Sequence, residues 1–129
     1  MKTAAGLAPL LAPNTIAVIG ASRRVSTIGH QILKNLISYG FAGAVYPVNP
    51  HAQSICAIRA YPSIADVPER VDMAVIVVPK EQVLDIAEQC GRAHVKGLVV
   101  ISAGFREIGD EGAARETKLM EIVRAYGMR

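Results

Sequence analysis

Tryptophan is absent from this chain, and aromatic residues make up only 5% of it. Surfaces that bind single-stranded nucleic acid use such rings to stack bases, so that class of function starts at a disadvantage. Cysteine is scarce as well: Cys56 and Cys90 are far apart and fall in no CxxC or Cys/His ligand spacing. The pattern argues against a disulfide framework or a zinc site and for reduced thiols. No apolar run approaches the roughly 18 residues of a membrane span. The first 13 residues carry one Lys, are interrupted by Pro9 and Pro13, and lack the apolar core of a signal peptide. A cytoplasmic protein with no membrane partner is expected. A strong charge of one sign is missing too, because 14 Lys and Arg face 11 Asp and Glu for a net +3. The basic residues, among them Lys34, Arg59, Arg92, Lys96 and Arg124, are scattered among acids rather than gathered on one helix face, so no nucleic-acid partner is expected. One local cluster, Arg23 and Arg24, falls in a loop suited to a phosphate.

What is present is apolar and β-branched: 51% of residues are hydrophobic, enough for one core in a chain of 129. Residues 1–14 read as a lead-in and residues 15–129 as one domain. Residues 15–20 (TIAVIG) form a short buried strand, followed by Ile28, Ile32, Leu33, Leu36 and Tyr39 at helical spacing with Gly40 as a stop. Residues 44–48 (AVYPV) read as a second strand, in which Pro47 must sit where a missing N–H is tolerated. Residues 58–61 suggest a short extra strand and residues 63–66 a capped turn. Residues 71–78 (VDMAVIVV) are the strongest buried strand, with a helix marked by Val83, Ile86, Ala87 and Cys90 behind it. Residues 97–102 (GLVVIS) follow, then a glycine-containing loop over 103–112 and a helix with Leu119, Ile122, Val123 and Tyr126 on one face. Strands alternating with helices predict an α/β fold: a Rossmann-like, doubly wound parallel sheet in three αβα layers. A further strand would be expected after the last helix, where only Met128 and Arg129 remain. The edge at Val99, Val100 and Ile101 then invites self-association.

Ligands of such sheets bind beyond the carboxyl ends of the strands. The first of these loops, residues 20–29 (GASRRVSTIG), combines Gly20 for a tight turn, the hydroxyls of Ser22, Ser26 and Thr27, and the start of a helix with free N–H groups and a positive dipole end. Those are the ingredients of a diphosphate site. The dinucleotide fingerprint G-x-G-x-x-G would need glycines where Ser22 and Val25 stand, and the second strand ends in Asn49 rather than an acid that holds a ribose hydroxyl. Ordinary NAD binding is thereby demoted. Neither Gly29-His30 nor Gly109-Asp110 supplies a Walker Gly-Lys-Ser/Thr, and Arg24 stands where a nucleophile elbow around Ser22 needs glycine. His30, His51 and His94 lack an evident Cys, Asp or second His partner. Structural or surface roles are expected for His30 and His94, and a place beside a phosphate for His51. No catalytic residue and no metal is expected.

The runs IAVIGASRR, VYPVNP, AYPSIADVPE, VDMAVIVVP and VVISAGF, in this order and spacing, resemble the CoA-binding N-terminal domain of NDP-forming acyl-CoA synthetases, relatives of the succinyl-CoA synthetase α subunit. The resemblance covers about residues 10–129. It implies that Ser22, Arg23, Arg24 and Val25 border the phosphates of coenzyme A beside Gly20, and that Asn49, Pro50 and His51 flank its nucleotide. It further implies that Val78, Pro79, Ser102, Ala103 and Gly104 line the path of the pantetheine arm. In the succinyl enzymes the first loop is richer in Gly and a Lys follows the second strand, where this chain has Arg23-Arg24 and His51-Ala52. The implied parent reaction interconverts acyl-CoA, ADP and phosphate with a carboxylic acid, CoA and ATP. Its phosphohistidine and ATP-grasp parts lie outside these residues, so binding of CoA or acyl-CoA without turnover is expected, with the remaining synthetase domains or a subunit as partners. A similar domain occurs in bacterial protein lysine acetyltransferases, and a small free-standing CoA-binding family shares the VNP and YPS motifs. A regulatory CoA-binding module is therefore the alternative, and an unusual NAD-type binder a third reading.

Overall fold

A computed structural model of the chain describes residues 2–102 and 109–129. In chain order its elements are α1 (Lys2–Leu11), β1 (Thr15–Ile19), α2 (Ile28–Ser38), β2 (Ala44–Val48), β3 (Ser54–Ile55), β4 (Ile58–Arg59), a 3₁₀ turn (Ile64–Asp66), β5 (Met73–Ile76), α3 (Lys80–Arg92), β6 (Gly97–Val100) and α4 (Asp110–Tyr126). The largely β-branched run of β1, interrupted only by Ala17, is buried at all five positions. It requires cover on both faces, which a central parallel strand has.

The main sheet runs β2-β1-β5-β6, all parallel. Ile16 to Ile19 lie opposite Met73 to Ile76 on one side, while Thr15 to Ile19 lie opposite Ala44 to Val48 on the other. Because strand side chains alternate, two apolar layers follow. Ile16, Val18 and Val75 pack with Leu33 of α2. Ala17, Ile19, Ala74 and Ile76 pack with Val83 and Cys90 of α3, and Leu119, Ile122 and Val123 of α4 close the same side.

Pro47 is tolerated for a reason visible in the ladder. The Val48 carbonyl bonds inward to Gly20 N, so the backbone groups of residues 47 and 49 point outward, away from β1. The donor that Pro47 lacks would have met no β1 partner. On that outer edge Tyr61 N donates to the Pro47 carbonyl at 2.9 Å and Asn49 N to the Tyr61 carbonyl at 2.9 Å.

Residues 58–61, expected to add a strand, divide instead: Ile58 and Arg59 pair antiparallel with Ser54 and Ile55, while Tyr61 forms a lone parallel bridge to Val48. The strand expected over 71–78 is shorter, since Val71 lies buried before the ladder and Pro79 starts the next helix. The 63–66 turn is a 3₁₀ turn with Ser63 Oγ donating to Asp66 Oδ2 at 2.8 Å. Residues 2–11 are helical despite Pro9. Beyond α4, Met128 is buried and Arg129 makes the two hydrogen bonds of a parallel bridge to Gly97, N to the Lys96 carbonyl at 3.0 Å and carbonyl from Leu98 N at 2.8 Å. Arg129 thus lies on the β6 edge, on the side where a further strand was expected. Among the described residues no helix is long and apolar enough to cross a membrane.

Candidate functional site

β1 leads to α2 on one face of the sheet and β5 leads to α3 on the other, so neighbouring strands part at their carboxyl ends and leave a crevice between their loops. Gly20 makes the first turn of that crevice at φ +100°. A Cβ there would lie 1.9 Å from the Val77 carbonyl oxygen, so only glycine lets the two loops approach this closely. Gly29 performs the same service for the first turn of α2, since its Cβ would lie 2.1 Å from the Gly20 carbonyl oxygen. The helix start is thereby seated against the turn.

The loop between them is latched from within. Ser22 Oγ accepts from Arg24 N at 3.0 Å, and Thr27 Oγ1 donates to the Arg24 carbonyl at 2.8 Å while capping α2 through His30 N at 3.3 Å. Gln31 Nε2 donates to the Val25 carbonyl at 2.7 Å. His30, only 9% exposed, places Nδ1 2.8 Å from the Ser22 carbonyl. A carbonyl only accepts, so Nδ1 carries the proton and the ring is a strut under the loop. Asn49 joins this loop to the next: its Nδ2 donates to the Ala21 carbonyl at 2.9 Å, and its Oδ1 accepts from His51 N at 2.7 Å.

The result is a cleft of about 560 Å³. It brings together Gly20 and Ser22 from the first loop, Asn49, Pro50 and His51 from the second, and Val78 and Pro79 from the third. Arg23, Arg24 and Val25 are exposed and do not line the cleft; Val25 is 62% exposed. Ser102 is half-buried and also outside the lining, while Ala103 and Gly104 lie outside the described residues. Sequence reasoning missed two walls. One is Pro62, Ser63 and Ile64 before and within the 3₁₀ turn; the other is the face of α3 bearing Gln82, Asp85, Ile86 and Gln89. The Gln82, Asp85 and Gln89 spacing of three and four was a legible polar stripe, but nothing local says that it borders a cleft.

The matching family model spans residues 14–129 and is the CoA binding domain. The chain belongs to that CoA binding domain family. Acetate–CoA ligase (ADP-forming) II of Archaeoglobus fulgidus is 45% identical over 123 residues, which are 95% of this chain and 18% of the relative. The α subunit of acetate–CoA ligase (ADP-forming) I of Pyrococcus furiosus is 46% identical over 127 residues, covering 95% of this chain and 28% of the subunit. Among solved structures, the apo form of dinucleotide-forming acetyl-coenzyme A synthetase 1 from Ca. Korarchaeum cryptofilum superposes with a TM-score of 0.92 at 49% identity, over 95% of this chain and 26% of that one. The chain therefore spans less than a third of the length of these relatives, and in them the domain is one part of a larger synthetase protein or subunit.

Among the described residues no group of His, Cys, Asp and Glu is assembled that would hold a metal. Burial pushes the Cys90 thiol up to about 12, so at neutral pH it is a protonated core side chain and not a nucleophile. The cleft offers a glycine turn and walls that mix apolar side chains such as Ile64, Val78 and Ile86 with the polar Asn49, Gln82, Asp85 and Gln89.

Proposed function

We propose that the cleft holds the CoA of an NDP-forming acyl-CoA synthetase. In this reading the diphosphate lies over the Gly20–Ser22 turn, facing the first turn of α2. There the free N–H groups and positive end of the helix favour negative charge without any side-chain cation in the cleft wall. The adenosine extends toward Asn49, Pro50 and His51, and the pantetheine arm runs along Val78 and Pro79, with the 102–104 segment as its further boundary. Arg23 and Arg24, exposed and outside the cleft lining, act at longer range by raising the local concentration of a polyanion. The observation that supports the reading is the crevice where β1 and β5 part, with the Gly20 turn drawn so close to the Val77 carbonyl that a Cβ would not fit.

The activity follows from what the relatives do. This chain binds and orients CoA for the acid–CoA ligation of the parent enzyme, and the remaining parts of the synthetase, in the same chain or a separate subunit, supply phosphoryl transfer. By itself the chain binds without turnover. A cytoplasmic setting, with CoA and ADP at hand, belongs to the same reading.

Calorimetry of the 129-residue chain with CoA and NAD in parallel tests it. CoA is expected to bind and NAD to bind at least tenfold more weakly, about the effect of one charged hydrogen-bonded group. Changing Arg23→Glu together with Arg24→Glu is expected to weaken CoA binding and to reduce its salt dependence, with little change in the thermal midpoint. Affinity that is salt-independent and indifferent to this reversal would remove the two arginines from the site.

A further inference from the structure

Beside the cleft, between the loop after β2 and the β3–β4 hairpin, lies a second pocket of about 450 Å³. It shares Asn49, Pro50, His51 and Pro62 with the cleft and adds Arg59. Arg59 stands on β4 opposite Ser54. The hairpin that carries it is tied to β2 through both backbone groups of Tyr61 and closed by Ala60 N donating to the Gln53 carbonyl at 2.9 Å. Among the described residues no carboxylate or other group pairs with its guanidinium. A solvated arginine is ordinary on a surface, so its position has to decide whether it does more.

The carboxyl end of the second strand is where doubly wound sheets hold the adenosine ribose. An acid stands there when the ribose hydroxyl is free, and an arginine nearby when the ribose carries a phosphate. Here the strand ends in Asn49, whose amide is engaged on both sides by the Ala21 carbonyl and His51 N, so it offers no carboxylate to a ribose hydroxyl. The neighbouring charge is a cation. CoA differs from the dinucleotides in carrying a phosphomonoester on the ribose 3′ oxygen, and such a group is largely dianionic at neutral pH, with a second pKa of about 6. Resting on the CoA reading of the cleft, we propose that Arg59 is a specificity residue that reads the 3′-phosphate of CoA in this side pocket. Its fork, unpaired among the described residues, supplies the bidentate geometry that a phosphate accepts best.

The test compares CoA with 3′-dephospho-CoA on the wild-type chain and on Arg59→Gln and Arg59→Lys, by calorimetry at fixed salt. The wild-type chain should prefer CoA by about tenfold or more. Arg59→Gln should lower CoA affinity to that of dephospho-CoA and leave dephospho-CoA binding as it was, while Arg59→Lys, keeping charge but losing the fork, should retain part of the preference. Equal wild-type affinities for the two ligands, or equal losses for both on Arg59→Gln, would overturn the proposal while leaving the cleft reading intact. A wild-type chain that binds neither ligand overturns the cleft reading and this proposal with it. The wild-type preference is measured without any substitution, so it decides the matter even if a variant folds poorly.

Discussion

Two positions with left-handed backbone make opposite demands on their side chains. Gly20 has φ +100° and no room, because a Cβ would fall 1.9 Å from the Val77 carbonyl oxygen. Ala57 has φ +63° and follows Cys56 at φ +52° in the two-residue turn between β3 and β4, a type I′ geometry that Asn-Gly usually fills. At Gly20 the missing side chain is a requirement; at Ala57 the side chain present is a strain. Gly20→Ala is expected to lower stability by about 3 kcal/mol or more, because backbone must move as well as adopt an unfavourable φ. Ala57→Gly is expected to raise it by about 1 kcal/mol, the left-handed penalty of a non-glycine residue. Chemical denaturation of both variants beside the wild type checks the two signs together, and a loss for Ala57→Gly would mean that the turn is relaxed in solution. The residue scale also separates what sequence reveals from what it hides. Gly20, Asn49 and Pro79 were legible because each is a special residue at the end of an apolar run. His30 was legible only as structural: the Ser22 carbonyl it supports is eight positions earlier, and no local pattern announces that hydrogen bond.

Elements are placed by bonds made at their ends, and the amino ends of β1, β5 and β6 meet at one carboxylate. Asn14 N donates to Asp72 Oδ2 at 2.8 Å, and Lys96 Nζ lies 3.4 Å from Asp72 Oδ1. Asp72 N donates in turn to Thr15 Oγ1 at 2.7 Å, and that hydroxyl donates to the Arg70 carbonyl at 3.0 Å. The Asn14 N–H, helped by the Lys96 ammonium, holds the Asp72 carboxyl below its ordinary value against the opposing effect of burial. A carboxylate whose native pKa is depressed stabilises the fold above its unfolded pKa of about 3.9, and that contribution is lost as pH falls through the lower native value. Wild type is therefore expected to be more stable than Asp72→Asn at pH 7, by a margin that holds down to about pH 4 and narrows below it. Thermal midpoints of the two proteins across that range test this, and a margin independent of pH would assign the effect to packing. The strands that meet here were readable as apolar runs, with ends differing by one or two residues because burial continues past the ladder, as at Val71. The helix over Lys2–Leu11 was not readable, since Pro9 hides it and its contacts are with distant β6. The cleft walls from the 3₁₀ turn and α3 were invisible for a related reason: the two come together only when the chain folds.

At the scale of the molecule, the β6 edge of the sheet is held by the segment that follows α4. Apolar edges with unpaired backbone groups invite association, and GLVVIS offers no charge, proline or bulge to prevent it. Met128 and Arg129 answer in part. Arg129 bridges to Gly97 at the start of β6, and Met128, 2% exposed, turns into the same core as Val95, Cys90 and Ile76. The buried Met128 side chain, together with its N–H on the Val123 carbonyl at 2.9 Å, holds this strip of backbone against the edge. Truncating such a side chain loses both its transfer free energy and the contacts around the space left behind, together about 2 to 4 kcal/mol for methionine to alanine. Met128→Ala is expected to cost that much, whereas Met120→Ala, at a position 40% exposed on α4, should cost no more than about 0.5 kcal/mol. Because the bridge to Gly97 is released with the anchor, Met128→Ala should also sediment with stronger concentration dependence than wild type, while Met120→Ala should not. Equal stability losses for the two variants, or unchanged sedimentation of Met128→Ala, would show that Met128 and Arg129 neither contribute to the core nor cover the β6 edge.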